Sequence, residues 1–521
     1  MRGLDSDQRP PGYEPDELPL LYPASTSTIL QPFPDSVKVI LFFYDTAILS
    51  RILPKVVIIR YNIPDGKSQL GKRTVGMNET KLMSEGPIGG AMIRFAVPLF
   101  LGNLFQQLYH TVDSLIVGNL LGNQALAALS STGMLIDLMV GFSSGLFIGA
   151  GVVVSRYFGA HKEARLKRAV HTTILAALIL GLGLTLLGTL MTPTFLHWMG
   201  TPEEIFEMAS AYVRVYFLGS LGLIFYNACV GIMQAVGDSK HPLYYLMISS
   251  VINVALDFLF VGGFGWDVSA AAWATIISQF VSAGFCLVRL TRTQDIYRLS
   301  VREVRWDGEM FVTILKFGLP SAVSNSIINF ANVIVQSNIN YFGTMAVSGC
   351  GAYSKLEGFS FLPITSFNSA ITTFVSQNLG AKEYERAQKG SRFGIFCAIC
   401  LAEFFGILMY VFAPVLVSAF TKEPEAIAFG VEKCRICALF NVLLAATHSI
   451  SSVLRGAGKA NVPMIVMLGV WCIFRVTFIS VLTPMLQTIK VVDWVYPLTW
   501  SISTVILTIY YFKADWIHGL E

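Results

Sequence analysis

Asn103, Gln106, His110 and Asp113 interrupt an otherwise apolar stretch, residues 95–122. After Arg94 that stretch has no Lys or Arg, so it can cross a bilayer as a helix. Spacings of i, i+3, i+7 and i+10 place the four polar residues on one helical face. A carboxylate at membrane depth is expensive and normally faces a protein interior or a wet cavity. There it can bind a proton or a cation. The plainer alternative is an acid that pairs silently inside a helix bundle, and the cost of burying it favours a working role.

The same logic applies further along. Asn253 and Asp257 are i, i+4 and share a face, as do Thr275 and Gln279. Together with Asp113 they can form one acidic pocket. Its carboxylate and amide oxygens suit Na⁺, with Asp113 and Asp257 as the candidate Na⁺ ligands. They suit a proton equally, because loss of water favours a neutral acid. The second half of the chain carries Asn325, Asn329, Asn332 and Gln336 at i, i+4, i+7 and i+11. Glu357 shares a stripe with Thr365, Asn368 and Thr372 and either lines a crevice or pairs with Lys355 or Arg475. Glu403 and Arg475 are expected to pair structurally or to lie near a membrane face, and Asp137 and Arg214 to form a structural pair.

Helices must position these residues inside a membrane. Of 521 residues 54% are hydrophobic and only 13% charged, far below the roughly 25% of ordinary soluble domains. The net charge of +4 is small and gives no sign of nucleic-acid binding. Twelve apolar segments follow residue 92, near 92–118, 126–154, 168–190, 205–234, 242–262, 268–290, 312–341, 348–376, 391–414, 428–453, 462–485 and 493–513. Lys and Arg collect in the loops at 156–168, 289–305 and 382–392 and are missing from those at 119–124, 193–204, 262–268 and 343–347. Cytoplasmic loops gather positive charge. A multi-pass protein of the cell membrane is therefore expected, with both termini cytoplasmic.

Residues 1–76 differ from the rest. Residues 5–36 are rich in Pro, Asp, Ser and Thr and read as disordered. The apolar run at 37–49 is too short to span. Met77 is read as the functional start, with the extension a gene-model artefact or a poorly ordered tail.

The chain repeats itself. FAVP at 95–98 matches FGLP at 317–320, SRYFGA at 155–160 matches SQNLGA at 376–381, and QAVGDSKHP at 234–242 matches RGAGKANVP at 455–463. The offset stays at 221 or 222. An N-lobe (77–290) and a C-lobe (312–521), joined by a connector (291–311), therefore each carry six spans. An even number means that both enter from the same side, so their relation is a pseudo-two-fold along the membrane normal. The acids are not repeated, since Asp113 aligns with Val335 and Asp257 with Phe478. There is no P-loop, no HExxH and no dinucleotide fingerprint, so neither ATP hydrolysis nor an enzyme is expected. The pairs Cys397/Cys400 and Cys434/Cys437 lie in apolar runs and read as packing residues.

VDSLIVGNLLG in the first span, the paired SRYFGAHKEARLKRA and SQNLGAKEYERAQKGSR loops, and the QAVGDSKHP and RGAGKANVP turns resemble the multidrug and toxic compound extrusion (MATE) family. The likeness covers residues 84–513. AYSKLEGFSFLPITSF resembles bacterial members of the DinF-like branch. The resemblance implies cation-coupled antiport of organic, often cationic compounds by two lobes that alternate between outward- and inward-open states. It implies an ion site at Asp113, Asn253, Asp257 and Thr275. Gln106, His110, Asn325, Asn329, Asn332, Glu357 and Asn368 are the candidates to line the substrate crevice. No cofactor is expected beyond the coupling H⁺ or Na⁺, and the partners are small organic molecules and lipid, with the chain a monomer. The alternative is a lipid or lipid-linked oligosaccharide flippase of the same superfamily, which should show a more basic crevice.

Overall fold

A computed structural model describes residues 83–518, so the expectations for 1–76 lie outside the described residues. The N-lobe contains α1 (Ile88–Leu120), α2 (Asn123–Gly159), α3 (Glu163–Trp198), α4 (Glu203–Leu218), α5 (Ser220–Ala235), α6 (Lys240–Asp257) and α7 (Ser269–Arg292). The C-lobe contains α8 (Gly308–Asn340), α9 (Thr344–Gly380), α10 (Tyr384–Ser418), α11 (Pro424–Ala438), α12 (Asn441–Gly456), α13 (Asn461–Val466), α14 (Arg475–Leu486) and α15 (Lys490–Lys513). The polypeptide between α7 and α8 includes one 3₁₀ turn, Val301–Glu303.

Among the described residues nine helical segments are long and apolar enough to cross a membrane. The pairs α4–α5 and α11–α12, bent by 47° and 54°, add one span each. The twelfth is α9, 37 residues long, whose Lys355, Glu357 and many Ser, Thr and Asn make it polar for a span. It can be polar because protein, not lipid, surrounds much of it: Ser366, Thr373, Ser376, Gln377 and Asn378 are all buried. The fold is twelve transmembrane helices in two six-helix bundles related by a pseudo-two-fold along the membrane normal, all α and integral to the membrane. Lipid-facing surface is supplied by stripes such as Leu186, Leu187 and Leu190 of α3, each more than half exposed.

Local chemistry sets the ends and the breaks. Asp307 caps α8, its carboxylate accepting the Met310 backbone N–H at 3.0 Å. Pro424 begins α11, where its missing N–H is not needed. Each half replaces regular α-helix with π-helical turns in its fifth span, Phe258–Gly263 after α6 and Met467–Phe474 before α14.

The lobes meet along α2 and α8 and along the ends of α2 and α9. Gly145 packs so that an added Cβ would lie 2.5 Å from Ala322 Cα, and Gly149 meets Gly318 backbone to backbone. At the helix ends Gly159 lies against the Gln377 carbonyl and Gly380 against the Arg156 carbonyl. Ser376 Oγ donates to the Val152 carbonyl (2.8 Å) and Ser155 Oγ to the Thr373 carbonyl (3.2 Å). Gln377 Nε2 donates to the Ala235 carbonyl, also at 2.8 Å. SRYFGA and SQNLGA, equivalent in the repeat, thus zip the lobes together. Along α2 the partners of these cross-lobe bonds run from Asp137 through Gly141 and Val152 to Ser155.

Candidate functional site: a central cavity and a sealed acid cluster

A cavity of about 1040 Å³ lies between the lobes. Gln106, His110, Asn325, Asn329, Asn332, Glu357 and Asn368 all line it, as do Asn103, Gln336 and Thr372. Helical periodicity explains this. The stripes from α1, α8 and α9 cannot face lipid, so they converge on the shared space. Some of these side chains also hold it together. Asn325 Nδ2 donates to the Gly141 carbonyl at 3.2 Å and Asn329 Nδ2 to the Asp137 carbonyl at 3.1 Å, both across the lobe boundary. Asn103 Nδ2 reaches Thr365 and Ser366 on α9 at 3.4 and 3.3 Å.

Asp113 departs from the face that its spacing predicts. It is 6% exposed, lies inside the N-lobe, and is not part of the cavity wall. At about 100° per residue Asp113 stands at the edge of the stripe, about 20° beyond Gln106, and packing within the N-lobe turns it inward. There it joins Asn253, Asp257 and Thr275, all buried. Asn253 Nδ2 donates to Thr275 Oγ1 at 3.4 Å. Asp113 and Asp257 are close enough for their charges to act on one another. Asp113 Oδ1, Asn253 Oδ1 and both Asp257 oxygens are buried without a hydrogen-bond donor. Several acceptors turned inward with no donor suit a proton or a small hard cation, which takes oxygen ligands. Tyr109, Tyr212 and Tyr216, which sequence reasoning passes over, surround the cluster; Tyr212 and Tyr216 are buried with ring centres 6.1 Å apart.

Two expected pairs do not form. Arg214 and Asp137 are both exposed and make no ion pair, Asp137 facing the cavity instead. Arg475 does not meet Glu403, whose Oε2 is buried without a partner. Arg475 is itself 1% exposed and lines the cavity. Its Nη1 donates to Asn332 Oδ1 at 3.4 Å and its Nη2 to Thr499 Oγ1 at 2.9 Å. The guanidinium lies 4.7 Å from the Trp471 ring centre and 4.8 Å from that of Tyr496. Glu357 makes no ion pair within 4 Å among the described residues, with Lys355 or with Arg475, although the charges of Lys433 and Arg475 act on it.

The cavity residue that sequence reasoning most clearly misses is Lys433. It is 1% exposed, lines the cavity, and has Asp493 Oδ1 at 3.9 Å. Tyr496 carries it on one side, 4.9 Å from the ring centre, and Tyr353 on the other, at 5.6 Å. The available signal is an acid within the apolar run VVDWVYPLTW, which needs a cationic partner.

The MatE family model matches residues 98–259 and 320–480, one copy in each lobe and 222 residues apart. The chain therefore belongs to the MatE family and is a multi-pass membrane protein. The probable multidrug resistance protein YoeA of Bacillus subtilis is 29% identical over 442 residues, 83% of this chain and 95% of the relative. The probable multidrug resistance protein NorM of Thermotoga maritima is 26% identical over 408 residues, 75% of this chain and 83% of the relative. Two solved structures share the fold at 22% identity. One is a multidrug resistance MATE family transporter of the MOP superfamily in an outward-facing conformation, with TM-score 0.78, covering 84% of this chain and 98% of the other. The second is a MOP superfamily transporter from Pyrococcus furiosus described as having a binding pocket of reversed polarity, with TM-score 0.77, covering 82% of this chain and 96% of the other.

Proposed function

We propose that this chain exports small organic compounds, drugs among them, by alternating access, with inward movement of H⁺ or Na⁺ through the Asp113 cluster as the driving force. One observation carries the reading: the donor-free oxygens of Asp113, Asn253 and Asp257 lie beside the central cavity but are not part of its wall. Ion and substrate can then occupy the N-lobe and the cavity separately, and each can bias the same lobe movement. Organic cations suit Asp137 and Glu357 on the cavity wall. The positive-inside rule puts both termini and the zipped ends of α2 and α9 in the cytoplasm. The protomer acts alone, with lipid and small molecules as its partners. A lipid or lipid-linked oligosaccharide flippase is the second reading, favoured by Lys433, Arg455 and Arg475 on the same wall.

The test is dye export by the full chain in sealed vesicles under an imposed pH gradient and, separately, an imposed Na⁺ gradient. Uphill export under one gradient and not without it is expected. Export indifferent to both gradients, alongside translocation of a lipid-linked sugar, would replace this reading with the flippase.

A further inference from the structure

The two lobes present opposite charge to the space between them. The N-lobe keeps Asp113 and Asp257 behind the wall and shows the cavity mainly neutral groups, with Asp137 its single acid there. The C-lobe puts Lys433, Arg455 and Arg475 on the wall. Glu357 stands on that wall and Asp493 behind Lys433, so three cations face two acids and one positive charge is left over. Arg455 occupies the place that Gln234 has in the first half, so the repeat itself does not require a cation there.

Two of these cations are held in a built site. Lys433 and Arg475 are each 1% exposed and share the ring of Tyr496, at 4.9 and 4.8 Å, with Trp471 and Tyr353 closing the sides. Arg475 has Asn332 on Nη1 and Thr499 on Nη2, both uncharged, and its buried Nε–H has no acceptor. Buried Arg455 Nε likewise lacks an acceptor. A guanidinium with an open Nε–H presents the edge that grips a carboxylate or phosphate through two parallel hydrogen bonds. Burying such a cation with no opposite charge at hydrogen-bond distance is costly, and an entering anion removes that cost.

We propose that the C-lobe wall around Arg475, Lys433 and Tyr496 is a subsite for an anionic oxygen group, a carboxylate or phosphate, on an otherwise apolar or aromatic substrate. The inference rests on the export reading and names a substrate class within it. The acidic group meets the Arg475 edge, and the body of the molecule lies against the aromatic rings and the remaining cavity. A free organic acid and an anionic lipid headgroup share this chemistry.

The full chain in detergent is titrated with 5-carboxyfluorescein and with the cationic dye rhodamine 6G, and affinity is read from fluorescence anisotropy. In Arg475→Gln the ratio of anion to cation affinity falls roughly tenfold or more, the loss expected for a charge-assisted pair. Arg475→Lys recovers part of it, and Arg455→Gln, at a half-buried position, moves the ratio in the same direction if Arg475→Gln does not fold. Displacement of carboxyfluorescein by short-chain phosphatidic acid supports the subsite and assigns it to a headgroup. Displacement by benzoate with no effect of phosphatidic acid supports it and assigns it to soluble acids. Rhodamine export with no binding of carboxyfluorescein, or an unchanged ratio in both Gln variants, overturns the inference and leaves export standing. Carboxyfluorescein bound through Arg475 but no gradient-driven export of either dye overturns the export reading and leaves the subsite.

Discussion

Gly149 of α2 and Gly318 of α8 touch backbone to backbone across the lobe boundary, and a methyl group on either would overlap the facing helix. Neither has a left-handed backbone, so the requirement is closeness alone. Small residues of this kind let membrane helices approach and pack. Gly149→Val forces that crossing apart at an overpacking cost of about 1–3 kcal/mol, and the lobes separate at the end they now share. In a Cys-free background, Val152→Cys is shielded in the closed zipper, 3% of the residue being exposed. Adding Gly149→Val should raise its reaction rate with a water-soluble thiol reagent. An unchanged rate would mean that the contact does not hold the lobes.

Asp113→Asn keeps the shape of the acid cluster and removes its ionisable oxygen. The variant should insert and bind dye yet lose gradient-driven export, because the ion is no longer tied to the lobe conformation. Asp257→Asn should show a related, milder defect. Export by Asp113→Asn at the native rate under the same gradient would move the coupling role to Glu357.

Lys433→Met leaves the Asp493 carboxylate buried without its cation, and removal of one member of a buried pair costs about 3–5 kcal/mol. The variant should melt well below the native chain in a detergent thermal-shift assay, and Lys433→Met with Asp493→Asn should regain most of the difference. Equal melting of the single and double variants would show that the 3.9 Å approach is not an energetic pair.

Topology is checked from outside the cell. Lys162→Cys and Lys382→Cys, one in each repeated basic loop, should resist an impermeant thiol reagent in intact cells. Glu204→Cys, at the opposite end, should react. The reverse pattern would invert the assigned orientation.

Much of this architecture is legible in the amino-acid sequence. Apolar segments long enough to span, basic loops at alternate ends and a register of 221 or 222 residues define twelve spans in two lobes, because lipid admits only closed helical segments and the repeat admits few arrangements. Periodicity marks the stripes of Asn325, Asn329, Asn332 and Gln336, and of Glu357, Asn368 and Thr372, as polar faces, and all of them line the cavity. Even Asp113, Asn253, Asp257 and Thr275, which spacing and the cost of intramembrane acids group together, are neighbours in the N-lobe.

The sequence by itself therefore determined the class of fold, the repeat and the polar faces, since those depend on short-range spacing and on the cost of polar groups in lipid. Tertiary structure alone decided three things. It turned Asp113 out of the cavity wall and into the N-lobe, where packing against α6 and α7 sets it beside Asn253, Asp257 and Thr275. It separated Arg475 from Glu403 and seated it on Trp471 and Tyr496. It brought Lys433 to Asp493, sixty positions away, through the packing of α11 against α15. Partners so distant along the chain are chosen by helix packing across a bundle, and no local spacing rule encodes which charge will face which ring.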